Sequence, residues 1–424
     1  MQQIIRRVCL AAVLAAGFTR NAAAQKPLTW DDVRVRFEAN NPTLLADKVS
    51  IDESKAQEIT AYLRPNPQLT LAADGTQIAP YKGVWAPFRG TYETPGVSYL
   101  HERQHKRELR LESAQKGTLL TEFNHADLER TLLFDLRGAF VATLQAKAVV
   151  RLAKENLAYY DNVLDISRTR FSAGDIAQID LDRLELQRVQ YESDVQSAEV
   201  NLRTAKIQLL TLLNDRTPIE NFDVTGLFDF NDQLMPQDEF RKIALDTRPD
   251  LKAAMEAVDK AQTDHKLAIA NGSTDPILSA WYTHNSSNNN PFGINTLGVS
   301  VSIPLRIFDR NQGEKLRTQL DIDRNEKLTA AAQALVFSDV DSAYAVVNSN
   351  VILLHPYKTK YLQQAVRVRD TVFFAYQHGG ASLLDFLNAQ SDYRTVQLTY
   401  VNLIGSYLTA AAQLNLAVGH EVLQ

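Results

Sequence analysis

From Lys106 to about Arg170, apolar side chains recur every three or four residues: Leu109, Leu119, Leu120, Phe123, Leu128, Leu132, Leu133, Leu136, Phe140 and Leu144. That spacing predicts an amphipathic helix. No proline interrupts the chain between Gly96 and Pro218, and after Pro304 only Pro356 does. At 1.5 Å per residue, some 65 helical residues would reach on the order of 100 Å. Four shorter stretches follow a different rhythm. Leu69 to Ala73 and Val97 to Leu100 flank a loop, Pro80 to Tyr92, rich in Pro, Gly and aromatics. Ile277 to Tyr282 and Leu297 to Ile303 flank Asn285 to Asn290. In the last of these, Leu297, Val299, Val301 and Ile303 alternate with Gly298, Ser300 and Ser302, the period-two signature of a strand with one apolar and one small, polar face. An apolar exterior around a polar interior is what a water-filled membrane barrel needs, with Trp85, Tyr92, Tyr99, Trp281 and Tyr282 as candidate interfacial aromatics. Four strands close no pore, so a barrel would need several subunits.

These elements fall into two similar halves, offset by roughly 200 residues. Asn41-Pro42-Thr43-Leu44 corresponds to Arg248-Pro249-Asp250-Leu251, each inside a helical stretch, and Pro67-Gln68-Leu69 to Pro276-Ile277-Leu278. Gly96-Val97-Ser98 corresponds to Gly298-Val299-Ser300. Phe171-x-x-Gly174 with Asp180 corresponds to Tyr376-x-x-Gly379 with Asp385, which keeps a Gly-x5-Asp spacing. The expected organisation is an address segment over 1–24, a first repeat over 25–220 (strands about 67–79 and 95–104, long helices about 106–214) and a second over 221–424 (strands about 276–285 and 295–304, long helices about 310–418). Each half reads helix, strand, strand, long helix, turn, long helix.

Composition and charge narrow the picture. Arg6 and Arg7, the apolar stretch Val8 to Phe18 and Ala22-Ala23-Ala24 have the layout of a secretory signal cleaved before Gln25. Cys9 is the only cysteine and lies inside that stretch, so the exported chain would carry no thiol, disulfide or lipidated cysteine. The formal charge of −5 becomes about −8 once Arg6, Arg7 and Arg20 leave with the signal. That mild acidity excludes a nucleic-acid partner, which would require a basic stripe. No apolar run of the ~20 residues a membrane helix needs is expected after the signal, so any membrane crossing would be by strands.

The duplicated plan resembles the TolC superfamily of outer-membrane efflux proteins over nearly the whole chain after the signal. Within it, Ile303-Pro304-Leu305-Arg306-Ile307-Phe308-Asp309-Arg310-Asn311-Gln312-Gly313 is similar to the PLPLFDRNQG signature of the CzcC-like branch, associated with heavy-metal efflux. The resemblance implies an α+β outer-membrane protein in which a homotrimer builds a twelve-stranded barrel, four strands per subunit, continued by a periplasmic helical barrel. It implies a periplasmic adaptor and an inner-membrane resistance-nodulation-division pump as partners, with outer-membrane lipid around the strands. The cargo it points to is a divalent cation, with drug efflux or type I secretion as alternatives on the same fold. Where metal-branch relatives tend to carry a LELGGKR-like stretch after the second strand, this chain has Leu100-His101-Glu102-Arg103-Gln104-His105-Lys106-Arg107.

That divergent stretch contains an HExxH string. On a helix, His101 and His105 would share a face and could bind zinc, with Glu102 activating water in a secreted metalloprotease. Arg103 and Gln104 replace the apolar residues of a buried active-site helix, and Lys106-Arg107 bring positive charge beside the site; a solvated strand-to-helix junction fits the string better. No catalytic triad, phosphate loop or cofactor motif occurs elsewhere. The glycine turns fit function better. By the resemblance they are periplasmic tips that dock the adaptor, through Ala173, Gly174, Asp175, His378, Gly379 and Gly380, with Phe171 and Tyr376 packing beneath. Asp180 and Asp385, placed about two turns into the following helices, would form acidic rings in a threefold assembly. The resemblance aligns Asp385 with the aspartate of the periplasmic constriction and puts Asn388 where a second acidic residue occurs. Asp309 or Asn311 could cap the helix that starts near Gly313.

Overall fold

The computed structural model describes residues 26–285 and 291–423; the expected signal with Cys9, and most of the loop Asn285 to Asn290, lie outside the described residues. In chain order the elements are α1 (Trp30–Asn40), α2 (Pro42–Tyr62), β1 (Gln68–Asp74), β2 (Tyr92–Leu100), α3 (Lys106–Ala173), α4 (Gln178–Leu212), α5 (Gln237–Thr247), α6 (Pro249–Asn271), β3 (Ile277–His284), β4 (Asn295–Ser302), α7 (Gln312–Pro356), α8 (Leu362–Gln377) and α9 (Leu383–Val418). A single π-turn, Tyr357–Tyr361, joins α7 to α8 just after Pro356. There the missing proline N–H forces the ladder to shift register.

Two positions inside expected helical stretches are instead breaks. Asn41 and Arg248 adopt ψ 117° and 120°, and Pro42 and Pro249 open new helices. The ring of a proline excludes the residue before it from the helical region, while proline itself is well suited to a first turn. Asn41 offsets the break: its Oδ1 accepts from the Leu44 N–H at 3.0 Å and its Nδ2 donates to the Leu212 carbonyl at 3.1 Å.

The chain forms two compact units. The first comprises the described residues up to Leu45, Glu129–Thr247 and Ser338 onward. Its packing includes a cluster of Val33, Phe37, Leu136, Phe140, Leu209, Phe222 and Val224, tied by a parallel bridge between Leu28 and Val224. Lys147 and Lys206 both reach the Asp223 carboxylate, at 2.5 and 3.4 Å. α9 also belongs here. It is the one helix among the described residues long and apolar enough to cross a membrane, at a mean hydropathy of 1.2. This corrects the expectation that no such run follows the signal. Its apolar residues are core: Ile404, Tyr407, Leu408, Leu414 and Val418 are buried against the protein.

The second unit, Ala46–Leu128 with Arg248–Phe337, packs its helices through small and polar residues. Ala253, Ala261 and Ala268 are buried, Thr118 donates to Glu58 at 2.5 Å, and His125 meets Asp47 at 2.7 Å. The same unit carries the sheet, antiparallel throughout in the order β1-β2-β3-β4. Residues directly opposite across a ladder share a face. The pairs Leu69↔Val97, Val97↔Ala280 and Ala280↔Val299 therefore place one row on one side, joined there by Leu71, Tyr99, Leu278, Tyr282, Leu297 and Val301. The opposite side carries Thr70, Ser98, Ser279, Thr283, Thr296, Ser300, Gly96 and Gly298. Most of the apolar side is exposed, with Leu297 and Val299 at 79% and 76%. Trp281 and Tyr92 correct part of the interfacial-aromatic expectation. Trp281 pairs with Gly96 and Gly298 on the small-residue face, and Tyr92 lies there too, hydrogen-bonded to Asp74 at 2.9 Å.

Candidate functional site

Two helix turns within the first unit carry most of the predicted functional positions. At the end of α3, Gly174 has φ +85°, its N–H donates to the Phe171 carbonyl and the Asp175 N–H to the Arg170 carbonyl, both at 2.9 Å. At the end of α8, Gly379 has φ +77°, its N–H donates to the Tyr376 carbonyl at 3.3 Å and the Gly380 N–H to the Ala375 carbonyl at 2.8 Å. Both are Schellman closures, in which a left-handed glycine lets two free helix carbonyls find donors. Ala173, Gly174, Asp175, His378, Gly379 and Gly380 are all exposed.

The spacing Gly-x5-Asp puts an aspartate at the third helical position after each turn, in the first turn of α4 and of α9 rather than two turns in. The two differ in what precedes them. Ser382 caps α9: its Oγ accepts from the Asp385 N–H at 3.2 Å, while the Asp385 carboxylate accepts from the Ser382 hydroxyl at 2.7 Å and its N–H at 3.0 Å. These hydrogen bonds, the hydroxyl first, hold the Asp385 carboxyl below its usual range. At the other turn Ala177 stands at the cap and offers no side-chain acceptor, so Asp180 has no such partner there. Asp385 and Asn388 are exposed, three residues apart on one helix face, and Asp180 is half-buried.

Beneath the turns the two hairpins share one core of Tyr160, Leu164, Leu181, Leu184, Tyr191, Tyr376, Leu383 and Phe386. Tyr160 stacks on Tyr191 at 4.5 Å and Tyr376 on Phe386 at 5.6 Å. Burial pushes the Tyr376 phenol up, opposed by Arg170 and reinforced by Asp180. Phe171 departs from the expectation. It stays on the surface at 36% exposed, and only its counterpart Tyr376 packs inward.

The HExxH string is not helical. His101 to Gln104 form the exit of β2, and Gln104 and His105 adopt φ 60° and 55° before α3 begins at Lys106. The two imidazoles therefore do not share one turn of a helix. Glu102, which would have to activate water, is bound by both terminal guanidinium nitrogens of Arg110, and His105 faces Glu108 at 4.0 Å. The Lys106 ammonium is buried against Asp275 at 2.6 Å and the Ser273 carbonyl at 3.1 Å. Among the described residues no three His, Cys, Asp or Glu side chains gather as a metal site would. Downstream, Asn311 has φ 61°, its N–H donates to Asp309, and its side-chain amide donates to the Ala268 carbonyl at 2.8 Å. It ties the start of α7 to α6.

Residues 241–420 match the family model "Outer membrane efflux protein". Over that stretch the chain is similar to outer membrane efflux proteins. Along 402 residues, 95% of this chain and 92% of the relative, it is 21% identical to the cobalt-zinc-cadmium resistance protein CzcC of Cupriavidus metallidurans. It is 24% identical to the pyoverdine export outer membrane protein OpmQ of Pseudomonas aeruginosa, across 74% of this chain and 66% of that one. Among solved structures, CusC, described with its transmembrane channel formation, superposes with a TM-score of 0.74 over 92% of both chains at 19% identity. The expected resemblance to the TolC superfamily and its CzcC-like branch agrees with these likenesses. Members of the efflux family are channels rather than enzymes, form trimers, and work with adaptor and resistance-nodulation-division pump partners.

Around the two turns, sequence reasoning missed three arginines that bind the hairpins laterally. Arg170 lies over the Tyr376 ring at 5.3 Å, Arg394 over Tyr191 at 4.5 Å, and Arg369 over Tyr159 and Tyr393 at 4.4 and 4.1 Å. Arg394 is also ion-paired with Asp194. Each is a cation–π contact between helices distant in sequence, and no one-dimensional spacing announces such a pair.

Proposed function

We propose that three copies of this chain form a passive outer-membrane duct that carries divalent metal cations from periplasm to exterior. The observation that carries the reading is the two-faced sheet. An apolar row, exposed in the single subunit, backs onto a face made mainly of Ser, Thr and Gly, with Trp281 and Tyr92 among them. Hydrocarbon accepts the first and a water-filled bore the second. β1 and β4 each have one partner within the described sheet, so both present an unpaired edge. Pairing β1 of one subunit with β4 of the next satisfies those edges, and three subunits give twelve strands.

The helices continue the duct as a periplasmic barrel, and each half of the chain, 25–220 and 221–424, supplies one structural repeat. Ile179, Leu186, Val200 and Ile207 of α4 lie at multiples of seven residues and are exposed in the single subunit, a stripe suited to packing against a neighbouring copy. The tips at Gly174 and Gly379 meet the adaptor. An inner-membrane pump supplies the energy, because the chain contains no nucleotide motif. Asp385, backed by Asn388 and Asp180, lines the aperture, where three carboxylates concentrate cations.

Metal as cargo is supported by the segment Ile303 to Gly313 and by the name of the CzcC relative. The name of OpmQ supports a second reading, export of an organic molecule. Deleting the chain from its host separates them. Loss of zinc, cobalt or cadmium tolerance with unchanged tolerance of organic compounds supports metal, and the reverse pattern overturns it. In planar bilayers, Asp385→Ala is expected to raise conductance and weaken block by divalent cations; unchanged values remove Asp385 from the aperture.

A further inference from the structure

Trp281 sits between two glycines on the small-residue face of the sheet, opposite Gly96 on one side and Gly298 on the other. Its indole lies across Gly298 so closely that a Cβ there would stand 2.3 Å from Cε2, 2.5 Å from Cζ2 and 2.7 Å from Nε1. A Cβ at Gly96 would stand 3.0 Å from the tryptophan Cβ. Neither glycine has a positive φ, so backbone freedom does not explain them. What they supply is space. On the duct reading, on which this inference rests, that face looks into the bore, where the indole is the largest side chain among neighbours such as Ser98, Ser279, Ser300, Thr283 and Thr296.

We propose that Trp281 is a conductance-setting residue of the membrane segment, with its indole stowed flat against the wall, and that Gly298 keeps the bore open by leaving room for it. A strand side chain has few staggered rotamers, and one that cannot lie along the sheet stands off it. Any side chain at residue 298 therefore displaces the ring from the wall into the lumen. Threefold assembly repeats the obstruction three times at one level, where it narrows the path of hydrated ions.

The test is single-channel conductance of the full-length trimer in planar bilayers. Gly298→Val is expected to lower conductance by about twofold or more, since ion flux falls steeply with pore width. Trp281→Ala alone should raise it, and Trp281→Ala with Gly298→Val should restore at least the wild-type value. A Gly298→Val channel that conducts like wild type, or a double variant no better than Gly298→Val, overturns the proposal. Because Gly298→Val also perturbs a strand, a second measurement leaves the sheet intact. The chain has three tryptophans, Trp30, Trp85 and Trp281, so Trp30→Phe with Trp85→Phe isolates the one in question. Its fluorescence in phosphatidylcholine vesicles should be quenched by acrylamide and not by brominated acyl chains. Quenching by the brominated lipid places the ring on the outer face and overturns the proposal while the duct reading stands. Wild-type protein that conducts nothing overturns both.

Discussion

Asp385 is both a cap and a charge, and two substitutions separate the roles. Its carboxylate is held by Ser382 in a reciprocal capping box at the start of α9. Ser382→Ala removes the cap and keeps the charge, and should cost about 1 kcal/mol in denaturant unfolding, typical of a lost cap. On the aperture reading it should leave divalent block almost unchanged, whereas Asp385→Ala weakens the block; equal effects would show that helix integrity, not charge, sets the conductance. The pH dependence follows from the direction of the shift. The Asp385 carboxyl lies below its usual value in the folded protein. Its contribution to stability is therefore complete above the unfolded pKa of about 4 and is lost as pH falls through the lower folded value. Unfolding midpoints should drop on acidification in wild type more than in Asp385→Ala. The Gly-x5-Asp spacing was legible in the sequence. The signal for the cap is the Ser-x-x-Asp pattern preceding an apolar run, which puts Asp385 at the third helical position, a turn shallower than the Gly-x5-Asp spacing alone suggests.

At the scale of single elements, the sheet offers the sharpest contrast. Val299 and Ser300 are neighbours on opposite faces of β4. Arginine at residue 299 should destabilise the inserted protein by roughly 2–4 kcal/mol, the cost of a cation against hydrocarbon, and arginine at residue 300 by far less. Comparing the two by urea unfolding in lipid checks the assignment of faces, and equal losses contradict it. This alternation was readable because period two survives in β4 without interruption. In β2, Pro95 and Gly96 blur it, and one strand alone does not show which residues lie opposite, so Trp281 reads from the sequence only as a candidate interfacial aromatic. The glycine turns were readable for the opposite reason, since a left-handed closing residue is a local demand. Gly379→Ala should cost about 1–2 kcal/mol through its φ of +77° alone, there being no neighbour within 4 Å for a methyl group to meet. The HExxH string misleads at this same scale. Its spacing has meaning only on a helix, and two left-handed residues at Gln104 and His105 end the turn before α3 begins.

For the whole molecule, the proposed duct depends on surfaces that one subunit leaves open: the edges of β1 and β4, the apolar face of the sheet, and the stripe Ile179, Leu186, Val200 and Ile207. Leu186→Glu, at a side chain 73% exposed in the single subunit, should leave the subunit folded by circular dichroism and shift detergent-extracted protein from trimer to monomer on a sizing column. A trimer that survives the substitution assigns the stripe to some other contact. The most direct test of the duct is the behaviour of the wild-type protein extracted in detergent and added to a planar bilayer. The account predicts a heat-modifiable trimer on gels and discrete conductance steps that divalent cations block from the periplasmic side. Protein that runs as a monomer and leaves the bilayer silent would contradict it.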